Sequence, residues 1–230
     1  MNFEIDFRKS KNILNEMIGG YFSVWRRVLM LRESIESAQR IQESNSDFIC
    51  LGAKCIQEAL FYSSVTDIRA WFIDSSPKVA SLHHVVSKLE DEYFSKKLEA
   101  WYSYPPSTIS LENPENGKHW HKSYETKRRA EFRYMKSDIL KKYRAFCAAD
   151  ETKRLNILRS KYVAHKEFKN SKIYDVYEYG HKISDAENAL NLLNDFIFYL
   201  NNLFNKSSYI DRPADFDMVC KEFWSTLQRT

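Results

Sequence analysis

The stretch Arg159-Ser160-Lys161-Tyr162-Val163-Ala164-His165-Lys166 brings together the side chains with the clearest chemical potential in the chain. His165 has an imidazole whose ordinary pKa near 6.5 lets it give or take a proton at neutral pH. Arg159 carries a permanently charged planar fork of donors that matches phosphate oxygens. Six steps at about 100° per residue leave the two about 120° apart round an ideal α-helix. One straight helix therefore cannot aim both at the same phosphate. Two copies across a two-fold axis, or an unwound turn near His165, can. Ser160, Lys161, Tyr162 and Lys166 are the candidate substrate-binding neighbours, although a packed aromatic is the commoner role for a Tyr such as Tyr162. An Arg, five residues and a His also recur by chance. The plain alternative is an Arg paired with a carboxylate and a His favoured by a helix C-terminus.

The setting of this stretch is basic. Between Lys118 and Lys172 there are 17 Lys or Arg against 6 Asp or Glu, a net of +11, while the remaining chain carries −7. That asymmetry points to a polyanionic partner, nucleic acid first, against the alternative of a solvated helical face. Other chemistry finds little support. The chain has no Gly-rich phosphate loop, no Gly-x-Ser-x-Gly elbow and no Cys-x-x-Cys pair. Cys50 and Cys55 lie about 140° apart round a helix and read as packed core thiols. His83 and His84 point in different directions and read as solvated. His119-Trp120-His121 places two imidazoles on one side of an extended strand, but nothing nearby completes the four ligands zinc wants. No metal or cofactor is expected.

The elements that position the motif are helical. Five Gly and five Pro in 230 residues are too few for a turn-rich sheet protein, and 43% hydrophobic residues permit a sizeable core. Helical spacing runs from Leu14 through Met17, Tyr21, Trp25 and Leu29, with Gly19-Gly20 marking a kink or a close crossing. A second helix from about Asp47 to Ile73 is apolar nearly all round and belongs in the middle of a bundle. Its Phe48, Leu51, Leu60 and Phe61, with Leu190, Leu193 and Ile197, are the expected core. Leu82, Val85, Val86 and Leu89 make a short amphipathic helix. From about Tyr93 to Arg133 the pattern weakens into an insertion or irregular arm. Helical spacing then returns from Ile139. Ser184 with Glu187 forms a capping box for the last long helix, and a tail helix starts at Pro213 within residues 209–230. The expectation is a single all-α domain over residues 1–230. No stretch reaches the roughly 18 apolar residues of a membrane span, and the acidic start is no signal peptide. Four cysteines then read as reduced thiols of a cytoplasmic protein.

With the motif inside an all-helical pattern, the chain resembles the HEPN superfamily, the nucleotide-binding domains of higher eukaryotes and prokaryotes. Arg159 and His165 fit its Arg, four-to-six residues, His signature. The helix ending Val65-Thr66-Asp67-Ile68-Arg69, the Ser81-Leu82 helix start and the string Lys161-Tyr162-Val163-Ala164-His165-Lys166 resemble its abortive-infection U-type branch. The likeness covers about Tyr21 to Phe204, and the Arg-His motif is its specific part. Position 160 is Ser where the family often has Asn, His or Asp. The resemblance implies an HEPN-like bundle, a homodimer with the motif at a shared cleft, and a metal-independent endoribonuclease acting in phage defence or as a toxin. An antitoxin protein is a possible partner. Such a nuclease needs only proton transfer and charge stabilisation, because RNA supplies its own nucleophile, the 2′-hydroxyl, and a 2′,3′-cyclic phosphate results. The alternative is an inactive HEPN-like module for RNA binding or protein interaction.

Overall fold

The computed structural model describes residues 2–44, 47–76, 78–106, 114–164, 168–169, 172–173, 182, 184–207 and 216–226. Its helices are α1 (Phe3–Glu36), α2 (Ala38–Ser44), α3 (Asp47–Ile68), α4 (Leu82–Glu90), α5 (Glu92–Ser103), α6 (Pro114–Ala148), α7 (Asp150–Leu158), α8 (Ser184–Asn205) and α9 (Phe216–Thr226). Two of them end in wide π turns, Arg69–Ile73 after α3 and Arg159–Ala164 after α7. Two-residue strands, β1 (Phe168–Lys169) and β2 (Lys172–Ile173), pair antiparallel with Phe168 opposite Ile173. The architecture is an all-α bundle.

Helix α1 begins at Phe3, well before the stripe read from Leu14, because Asn2 caps it by accepting from the Glu4 N–H at 3.1 Å. Its inner line of Leu14, Met17, Tyr21, Val24, Val28 and Leu31 is buried against α3, α8 and α9. α8 supplies the facing wall with Leu190, Leu193, Phe196, Ile197 and Leu200, all at 0% exposure. Each such side chain contributes about 1.5–3 kcal/mol on leaving water. Polar pins fix the register, among them Tyr21 donating to Asn194 at 2.9 Å. The indole N–H of Trp224 on α9 donates to the Met30 carbonyl at 2.9 Å.

α1 runs unbroken through the Gly19-Gly20 pair. Gly20 permits a close crossing instead: a Cβ there would sit 2.9 Å from the indole Nε1 of Trp71, in the first wide turn, while Gly19 faces open space.

Several sequence expectations are corrected. Phe48 is 87% and Leu51 61% exposed, so neither belongs to the core, and Leu60 and Phe61 are only half-buried. The first half of α3 lies at the edge of the bundle, packed on one side alone. Cys55 is exposed, not a core thiol, although all four cysteines are free. The irregular arm of 93–133 is largely regular helix: Phe94, Leu98 and Tyr102 of α5 are fully buried, and α6 runs unbroken from Pro114. His119 and His121 therefore sit on a helix and not on an extended strand. His84 is half-buried and His83 Nδ1 lies 3.0 Å from the Tyr143 hydroxyl, so the pair is not simply solvated. At the start of α8, Glu187 is bound by Arg32 at 3.2 Å, and Asp185 is the carboxylate that reaches the Lys182 N–H, at 3.0 Å. In α9 the buried residues are Cys220 and Trp224, whereas Val219 and Phe223 are exposed. Pro213 and Leu227 lie outside the described residues.

Candidate active site at two wide turns

Helix α7 is short and amphipathic, with Thr152, Leu155 and Leu158 buried and Asp150 and Glu151 placed favourably in its first turn. It delivers Arg159 to the start of a π turn, whose i→i+5 hydrogen bonds make a wider coil than the α form. Such turns recur at functional sites. The 120° separation expected of a straight α-helix therefore does not apply. The turn is described as far as Ala164, and His165 lies outside the described residues.

Arg159 is half-buried and makes no ion pair among the described residues. Its backbone N–H donates to the Asn156 and Leu155 carbonyls, closing α7. Ser160 and Lys161 follow it on the turn, half-buried. The backbone of Tyr162 is part of the turn, but its side chain, His165 and Lys166 lie outside the described residues.

The turn packs on α3, and α7 packs in return on the first wide turn. Arg69 opens that first turn. It forms an ion pair with Asp74 and donates from Nε to Asn156 Oδ1 at 3.4 Å. Residues five apart on an α-helix lie about 140° apart; on the π turn, closed by the Asp74 N–H to the Arg69 carbonyl at 2.8 Å, they meet. Asp74 also accepts from the Ser76 N–H at 2.8 Å, and its carbonyl takes the Ser81 hydroxyl at 2.6 Å. Two residues before Arg69, Asp67 of α3 pairs with Arg27 of α1. Sequence reasoning missed Arg69, Asp74 and Asn156 as a linked group next to the motif. The one available signal was an Arg and an Asp five apart, a spacing that means nothing until the coil is known to widen.

The basic third is less charged at the surface than its composition implies. Arg129 and Arg133 are bound by Glu99, with Arg129 also held by Glu125 at 2.6 Å. Arg144 is bound by Glu90, and Arg154 by a bidentate contact with Asp185 at 2.6 and 2.9 Å. Among the described residues, no group of three or more His, Cys, Asp or Glu is arranged to hold a metal ion.

Fold and site together describe a helical bundle whose specific feature is an Arg motif on a wide turn, pressed against the end of a second long helix. The family model HEPN_AbiU2 (AbiU2) matches residues 8–219, and the chain belongs to this abortive-infection family of HEPN proteins. No curated protein and no solved structure matches it. No helix among the described residues is long and apolar enough to cross a membrane.

Proposed function

We propose that this chain is a metal-independent endoribonuclease that acts as a homodimer in phage defence or as a toxin, in the cytoplasm and under the control of a protein antitoxin. Arg159 carries the reading. It is the motif arginine of a HEPN-family chain, held on a wide turn that follows the helix bound by Arg69, an arginine that Asp74 neutralises, and it makes no ion pair among the described residues. A half-buried guanidinium kept away from carboxylates is suited to the negative charge of a phosphoryl transition state. His165 moves the proton, and Ser160, Lys161, Tyr162 and Lys166 line the approach.

The exposed face of α3 supports the second copy. Phe48, Leu51, Cys55 and Ala59 share that face, with Phe48 87% exposed, and the same helix runs on to the candidate site. Large exposed apolar side chains on one helix face are a common sign of a partner, and a face meeting its own copy across a two-fold axis brings two motifs to one cleft.

Cleavage of RNA in EDTA is the test. Activity that yields 2′,3′-cyclic phosphate ends and disappears in His165→Ala supports the reading. A strict magnesium requirement, or 5′-phosphate products, gives the chemistry to other residues. RNA binding without cleavage by the wild-type chain favours the inactive RNA-binding module instead.

A further inference from the structure

Helix α6 carries Trp120, Lys127, Tyr134 and Lys141 at successive seven-residue steps. Seven residues fall about 20° short of two full turns and rise about 10 Å. The four side chains therefore form one slowly drifting stripe, about 32 Å from end to end, in which aromatic rings alternate with cations. Trp120 is 36% and Tyr134 64% exposed. Both rings are backed by a second ring: Trp120 stacks on Tyr124 at 5.0 Å, and Tyr134 meets Tyr199 edge-on at 6.4 Å. Tyr124 is steadied by Arg128, whose guanidinium lies 6.0 Å from its centroid and 4.0 Å from that of Tyr102.

The charges on this flank differ from those on the opposite one. Lys127 and Lys141 are exposed and make no ion pair among the described residues. The acids nearest the stripe are already bound, Glu131 by Arg128 at 2.7 Å and Asp138 by Lys142 at 2.9 Å. On the other flank, Arg129 and Arg133 are tied to Glu125 and Glu99. A merely solvated helix gives no reason for two rings and two unpaired lysines to alternate along one line.

We propose that this stripe binds single-stranded RNA, with bases stacked on Trp120 and Tyr134 and phosphates set against Lys127 and Lys141. The choice of RNA rests on the function proposed above. The single strand follows from the rings, because side-chain stacking needs open base faces, and a duplex covers them with neighbouring base pairs.

The test uses the full chain and a labelled oligomer of about twelve 2′-O-methyl nucleotides, which lacks the internal nucleophile, followed by fluorescence anisotropy. Trp120→Ala and Tyr134→Ala should each weaken binding about 5- to 10-fold, the lower range for loss of one stacked base. Trp120→Phe and Tyr134→Phe, which keep a ring, should stay within about twofold of wild type. Lys127→Ala and Lys141→Ala should each reduce the salt slope by about 0.7, the value for one single-strand phosphate contact. Unchanged binding in the Ala variants, or equal binding of a duplex of the same length, overturns the proposal. So does a fall in light-scattering mass for Trp120→Ala/Tyr134→Ala at unchanged RNA affinity, which assigns the face to a protein contact. Failure here leaves the loss of cleavage in His165→Ala untouched, and binding at the stripe by a chain that never cleaves removes the nuclease and keeps the stripe.

Discussion

Two wide turns, each opened by an arginine at the end of a longer helix, stand side by side in this molecule and treat that arginine differently. Arg69 is bound by Asp74 and held to Asn156, in a turn pinned to α4 through Ser81. Arg159 is equally half-buried yet makes no ion pair among the described residues. The same local coil thus carries an arginine bound by a carboxylate in one place and, among the described residues, an arginine without an ion pair in the other.

The largest effects should come from the Arg159 turn and leave stability alone. His165→Ala should lower RNA cleavage by about 10²–10⁴, the usual worth of general acid–base catalysis. Arg159→Lys should lower it by about 10², because an ammonium keeps the charge and loses the fork. Both should melt close to wild type by calorimetry. Arg69→Ala should show the converse. Losing a half-buried charged hydrogen bond costs about 2 kcal/mol, a drop of roughly 4–8 °C in Tm for a chain of this size, with cleavage changed only a few-fold below the melt. If Arg69→Ala silences cleavage at unchanged Tm, the division of labour between the turns is wrong.

A smaller effect sharpens the contrast from the α1 side. Gly20→Ala pushes a methyl onto Trp71 of the Arg69 turn and should lower stability by about 1 kcal/mol. Gly19→Ala meets no neighbour and should raise stability by about as much through helix propensity. Adding Trp71→Phe should relieve the Gly20→Ala loss. If both glycines respond alike in denaturant melts, the close crossing is not what holds that turn.

The smallest is a pH effect at α4, which packs on the same turn. Burial, then Lys9 and Lys88, lower the pKa of His84 below its ordinary 6.5. The unfolded chain therefore takes up this proton more readily than the folded one. The contribution of His84 is fully present above about pH 6.5 and is lost as pH falls through the lower folded value. Tm should fall between pH 7 and 5, and His84→Asn should flatten that slope. An unchanged slope removes His84 as its source.

Much of this arrangement was legible in the residues, and the failures share a cause. The core of α8 and the whole of α4 follow from apolar spacing, because each buries one face against a continuous wall. α3 misled because its apolar residues surround the helix. Periodicity then cannot say which side faces inward, and Phe48 and Leu51 fell on the wrong one. In α9, Trp224 and Phe223 are adjacent aromatics that composition cannot tell apart, and only Trp224 turns inward, its N–H met by the Met30 carbonyl. α6 looked broken because its first half carries no apolar stripe: among its described side chains from His119 on, the first fully buried one is Phe132. Arg159 stands out by type and spacing, whereas His165 lies outside the described residues. The wide coil that carries Arg159 was not legible, because a π turn is a response to packing and leaves no periodic mark.

Asp185 has a further consequence. It joins α7 to α8 by grasping Arg154, and it also receives the Lys182 N–H, so one carboxylate fastens both ends of the intervening segment that includes His165. Closing a loop of some 30 residues costs chain entropy that grows with the logarithm of its length. A clasp at its base sets that cost once, at folding, and not anew at each encounter with substrate. Asp185→Asn should therefore loosen both ends of this segment at once, and limited proteolysis between α7 and α8 should quicken by more than the loss of overall stability explains.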